Sequence, residues 1–139
     1  MPKFSQRSLD VLTTTHSSLQ WLLTEVVRDF DCTILPDGGK RTPERQAELY
    51  RSGSSKTLAS KHLTGEAIDT APYPVLWPDE DGISPQEKVE RLKRFYAFGG
   101  YVKGVASQLG IPIRWGGDWD SDWTFTDQSF HDLPNFELR

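Results

Sequence analysis

The sequence predicts a small α+β domain with three main helices and four short strands. Three observations carry this prediction. Leu19, Leu22, Leu23, Val26, Val27 and Phe30 recur at helical spacing and line one face of a segment from about 18 to 30. Ser84-Pro85-Gln86-Glu87 has an N-cap, a proline at the first helical position and a glutamate at the third, and opens a second long apolar-faced run. The remaining apolar runs are short and irregularly spaced, which suits strands but not a doubly wound sheet. At 139 residues the chain is read as one domain, 1–139, with a real core and no separate second module.

The elements follow in order. A short helix is expected around Ser8 to Thr14, and Ser17 with Gln20 forms a capping-box pattern ahead of the first long helix. His16, just before that cap, reads as a joint residue, at the surface or packed against Trp21. Cys32-Thr33-Ile34-Leu35 is strand-like and ends in the turn Pro36-Asp37-Gly38-Gly39. Thr42 caps a helix with Pro43 at its first position, which runs to about Arg51 and stops at Ser52-Gly53. Residues 54–61 are polar loop, and Ala67-Ile68-Asp69-Thr70-Ala71 is a strand closed by Pro72-Tyr73-Pro74. Val89, Leu92, Phe95, Tyr96, Val102, Val105, Ala106 and Leu109 continue the long helix to Gly110, a natural residue just past a helix end. Gly99-Gly100 inside it signals close packing or a kink. Ile111 to Trp115 is a strand with an irregular start at Pro112, and Asn135 to Arg139 is the last one.

Composition excludes several function classes. Charged residues make up 26% of the chain and mean hydropathy is −0.56, with no apolar run near the roughly 20 residues that a bilayer demands. No stable membrane insertion is therefore expected. The first seven residues lack the apolar centre of a signal peptide. A net charge of −4 with no basic patch argues against nucleic acid as a partner. Cys32 is the one cysteine, so no intrachain disulfide forms and a reducing compartment is expected.

Within Ser60-Lys61-His62-Leu63-Thr64-Gly65-Glu66-Ala67-Ile68-Asp69, a histidine and an aspartate stand seven residues apart around a glycine. Imidazole nitrogen and carboxylate oxygen both suit Zn²⁺, and a loop followed by a short strand can bring them to one ion. Arg41 lies at a strand-to-helix junction, where functional side chains are often held, although a solvated arginine is the plain alternative. Asp118, Asp120 and Asp122 alternate like calcium ligands, but no glycine follows at the sixth loop position and Ser129 occupies the twelfth, so an EF-hand is rejected. A looser calcium or structural role stays open for them. Trp115, Trp119 and Trp123 are candidates for a substrate wall, with core packing expected for at least one.

Several of these segments together resemble a known family. His62 through Asp69, Ala71-Pro72-Tyr73-Pro74, Arg114-Trp115-Gly116-Gly117-Asp118-Trp119, and Phe130-His131-Asp132-Leu133-Pro134-Asn135-Phe136-Glu137-Leu138 look like the phage zinc peptidases that cut peptidoglycan stem peptides. These are the D-alanyl-D-alanine carboxypeptidases and L-alanyl-D-glutamate endopeptidases used as endolysins. The resemblance spans nearly the whole chain. It implies a Hedgehog/DD-peptidase-like fold, with an antiparallel sheet cradling one zinc.

The resemblance also implies roles for single residues. His62 and Asp69 match two zinc ligands. Arg41, with Glu44 and Gln46 after it, matches an arginine that stabilises charge developing at the scissile peptide. Asp132 matches the general base, three residues ahead of a third ligand that should be histidine. Position 135 is Asn135 instead, a poor zinc ligand. Three outcomes are open: His131 substitutes for it, the ion is held weakly through Asn135, or the zinc is lost. Pro134 stiffens the path between His131 and Asn135 and counts against an easy register shift. Glu137, on the same strand face as Asn135, either orients a ligand or is simply buried in the sheet edge.

The function implied is a monomeric zinc peptidase acting on the peptidoglycan stem peptide and serving phage lysis. It is expected to wait in the host bacterial cytoplasm until released to the cell wall. The alternatives are a wall-peptide binder that lost its third ligand at Asn135, and, more weakly, a zinc hydrolase of another small substrate.

Overall fold

Helix starts are fixed by side chains that the sequence places next to them. The computed structural model describes residues 2–139. Its helices are α1 (Gln6–Leu12), α2 (Ser17–Val27), α3 (Pro43–Arg51) and α4 (Pro85–Leu109), with a 3-10 turn at Lys61–Thr64. Its strands are β1 (Cys32–Ile34), β2 (Ala67–Pro72), β3 (Ile113–Gly116) and β4 (Asp132–Leu138). The hydroxyls of Ser5, Thr42 and Ser84 accept from the backbone N–H of Ser8, Arg45 and Glu87, each three residues on. Because Ser5 is the cap, α1 lies two residues earlier than the apolar pattern predicts.

Two further differences have clear physical reasons. The cap of α2 is His16 rather than Ser17: its Nδ1 accepts from the Ser18 N–H at 3.0 Å. That helix ends at Val27, and Phe30 reaches the core from the following turn, packing edge-on against Phe98 at 5.1 Å. The last strand starts at Asp132, well before Asn135. β3 shifts register between Trp115 and Gly116, so that Gly116 pairs with Asp132 while Trp115 pairs with Phe136. Pro134 falls inside that irregularity, where its missing N–H costs no regular ladder bond.

The four strands form one antiparallel sheet in the order β1-β2-β4-β3. Alternation along the strands separates its two faces. Ile68, Phe136, Trp115 and Ile113 join the core with α2 and α4, and the Trp115 and Phe136 rings stack at 6.1 Å. Gly99 is where α4 crosses the sheet: a Cβ there would lie 2.2 Å from the Trp115 ring. Gly99 therefore serves close packing, whereas a Cβ on Gly100 would meet open space, and α4 continues through both, 25 residues long in all. Asp69, Asn135, Glu137 and Arg114 line a cleft away from that core. Among the described residues, no helix is long and apolar enough to cross a membrane.

Candidate active site

The cleft beside the sheet has a volume of about 510 Å³ and is lined by Arg41, the 54–62 segment, Asp69, Trp119, Asp132 and Asn135, among others. His62 is delivered by the 3-10 turn. The Ser60 hydroxyl accepts from the His62 N–H at 3.1 Å, and Gly65 ends the turn in the left-handed region at φ 76°. The ring is buried, and its Nδ1 lies 2.9 Å from the Gly39 carbonyl oxygen. A carbonyl only accepts, so Nδ1 carries a proton, and in the neutral ring Nε2 is left with its lone pair.

That lone pair faces Asp69. His62 Nε2 and Asp69 Oδ1 are 3.3 Å apart, while Asp69 Oδ2 accepts from Arg41 at 2.8 Å. Two electron-rich atoms at this separation need a proton or a cation between them. Tetrahedral zinc with bonds of 2.0–2.2 Å spaces its ligand atoms about 3.3–3.6 Å apart. Asn135 stands directly across the ladder from Asp69. Its Nδ2 donates to Asp132 Oδ2 at 3.1 Å, and its Oδ1 is buried with no partner among the described residues. Leaving such an acceptor unsatisfied costs about 1–3 kcal/mol, so this oxygen is suited to an ion held with His62 and Asp69.

Arg41 is held rather than loose. Nε donates to the Asp37 carbonyl at 3.0 Å, one terminal nitrogen to Gln46 Oε1 at 3.2 Å, and the other to Asp69. Three of its five N–H groups are thereby committed, and its first task is to fix the Asp69 carboxylate. Asp69 is also gripped by its backbone, which donates to Gly38 O at 2.9 Å and accepts from Leu35 at 3.0 Å.

The Asp132 carboxyl is pushed up to about 6, first by burial and then by the charge of Asp69. The Asn135 hydrogen bond, His62 and Arg41 oppose the shift. A carboxyl that titrates near 6 is poised to take a proton near neutrality. The same shift bears on the stability of the metal-free chain. The folded state holds the Asp132 proton more tightly than the unfolded one, so its favourable contribution is complete below about pH 4 and is lost as pH rises through about 6. In EDTA, Asp132→Asn should therefore gain stability over the native chain across that window. The expected plateau is about 2–3 kcal/mol above pH 7, read by denaturant melts at several pH values.

The sequence model described as phage L-alanyl-D-glutamate peptidase matches residues 1–139. The chain belongs to that family. It is 30% identical over 131 residues to the L-alanyl-D-glutamate peptidase of Escherichia phage T5, covering 91% of this chain and 88% of that one. Its fold is similar to that of the Serratia marcescens L-Ala D-Glu endopeptidase ChiX, with TM-score 0.70 and 26% identity over 99% of this chain and 91% of that one.

Within this family member, the predicted residues separate into those that meet at the cleft and those that do not. His62, Asp69, Asn135, Asp132 and Arg41 meet there. His131 does not: it precedes β4, is exposed, and its Nδ1 lies 3.4 Å from Gln128 and 3.5 Å from the Tyr96 hydroxyl. His131 thus stands outside the cleft lining that Asn135 and Asp132 share. Glu137 is buried and lines the cleft, but its carboxylate accepts from Arg114 at 2.9 Å, so it orients that guanidinium and no ligand candidate. The three indoles have three fates. Trp115 is core, Trp119 stacks on Phe130 at 6.3 Å in the cleft wall, and Trp123 is exposed under the Lys103 ammonium. Asp118, Asp120 and Asp122 each bring an oxygen within 4.8 Å of the others, with Asp118 buried and paired to Lys103 at 3.1 Å.

Gln46, which the sequence marks only as following Arg41, has a structural task. It is buried and joins Arg41 to the 54–60 loop, donating to Ser55 Oγ and Thr57 O at 2.8 Å each. A polar residue on the inner face of an otherwise solvated helix was the available signal.

Proposed function

We propose that this chain is a zinc-dependent L-alanyl-D-glutamate endopeptidase that cleaves peptidoglycan stem peptides in phage lysis, with the cleft beside His62 as its active site. The observation that carries the reading is the meeting of His62 Nε2 and Asp69 Oδ1 at 3.3 Å, opposite the unpartnered Asn135 Oδ1. His62, Asp69 and Asn135 are the residues that would hold the ion. When bound, zinc supplies a Lewis acid and lowers the pKa of water towards neutrality.

The chain's own residues do the rest. Asp132, adjoining the Asn135 amide, accepts the proton of the attacking water and returns it to the leaving amine. Asn135 Nδ2 holds the Asp132 carboxylate in place for that transfer. Arg41 keeps Asp69 oriented and has two uncommitted N–H groups for the oxyanion, a contact worth roughly 3 kcal/mol in other hydrolases. Trp119 and Phe130 supply an apolar wall for the peptide.

The second reading, a wall-peptide binder without hydrolysis, is favoured by one observation: the third ligand position carries a neutral amide. Digestion of peptidoglycan with and without metal separates the two. The peptidase reading expects fragments with new D-glutamate amino termini in mass spectra, lost in EDTA and restored by zinc. Retention on peptidoglycan with no new amino termini under any metal condition would establish the binder.

A further inference from the structure

The geometry points to Lys56 as the residue that selects for a free carboxylate on the D-glutamate side of the scissile bond. This rests on the peptidase reading above. The chain as a whole is acidic, at −4, yet its cleft gathers four cations, Arg41, Lys56, Lys61 and Arg114, beside three carboxylates, Asp69, Asp132 and Glu137. Three of those cations already have a hydrogen-bond partner within the chain. Arg41 pairs with Asp69, Arg114 pairs with Glu137, and Lys61 donates to the Leu138 carbonyl. Among the described residues, Lys56 has neither a carboxylate nor a carbonyl partner. Its Nζ instead lies 5.6 Å from the centroid of the Phe130 ring.

Lys56 sits on anchored backbone. Gln46 binds Ser55 Oγ and Thr57 O on either side of it, and the Ser55 N–H donates to Leu49 O at 3.0 Å. The same Gln46 accepts from Arg41, which holds Asp69. One continuous set of hydrogen bonds thus fixes the 55–57 backbone relative to Asp69.

The substrate's chemistry supplies the matching charge. A glutamate joined through its nitrogen to alanine has two carboxyl groups. A peptide that continues through one of them leaves the other as carboxylate or carboxamide, close to the bond being cut. A carboxylate carried into a cleft loses hydration and needs a positive partner, whereas a carboxamide does not. Lysine meets this need as a compact point charge.

The test compares two synthetic peptides that differ only in that group, free carboxylate or carboxamide. The native chain should prefer the carboxylate about tenfold in kcat/KM. In Lys56→Met that ratio should fall to near one, through a higher KM for the carboxylate peptide, and Lys56→Arg should retain it. An unchanged ratio in Lys56→Met would overturn the proposal, whether activity on both peptides persists or drops together. Should the native chain cleave neither peptide, the peptidase reading itself fails. Calorimetric Kd values for the two peptides then decide on Lys56 by the same ratio: a preference that collapses in Lys56→Met upholds it, and any other result overturns it.

Discussion

Asp132→Ala should lower kcat on peptidoglycan by about 10²–10⁴-fold while bound metal and KM stay near native values. That range is what a positioned general base contributes. Asp132 is held at the site by the Asn135 amide at 3.1 Å, and in the metal-free chain its carboxyl is pushed up to about 6, first by burial and then by Asp69. Asp132→Asn is the sharper variant, because it keeps size and an acceptor oxygen for Asn135 while removing basicity. Equal losses in both variants with metal content intact would assign the effect to proton transfer. Loss of metal in either would make Asp132 a structural support of the site instead.

The second large effect is expected at Asn135. Exchanging a neutral amide for an imidazole should raise zinc affinity, since imidazole suits zinc better than an amide oxygen does. Removing groups that merely orient ligands already costs 10–100-fold in metal affinity or activity, so Asn135→His should gain at least about 100-fold in zinc affinity. Competition with a chromophoric chelator measures this directly. The native chain should accordingly tolerate oxygen-preferring divalent ions better than the variant does. If Asn135→His left zinc affinity unchanged, the unpartnered Oδ1 would not be facing the ion.

What the sequence reveals depends on how local each feature is. Thr42-Pro43 and Ser84-Pro85 carry their helix starts within four residues, and the helices begin there. His62 and Asp69 are legible because one short turn and one strand deliver both. Arg41 is legible as a junction residue, but its grip on Asp69 spans 28 positions and had no local mark. Features set by register are hidden. The pairing of Gly116 with Asp132 extends β4 to Asp132, and His131 is left outside the strand beside Tyr96 and Gln128. Glu137 shares a strand face with Asn135, as its spacing implies, yet β3 brings Arg114 against it and decides its partner. His16 illustrates the opposite failure. Its capping role is local, but a histidine seldom caps a helix and Ser17 offered the ordinary alternative.

The measurement that bears most directly on the account is anomalous diffraction at the zinc edge from crystals grown with one equivalent of zinc. A single ion bonded to His62 Nε2, Asp69 Oδ1 and Asn135 Oδ1 is the predicted result, with Asp132 close by and unbonded to it. Zinc found only among Asp118, Asp120 and Asp122, or an Asn135 amide turned away from an ion held by other residues, would contradict it.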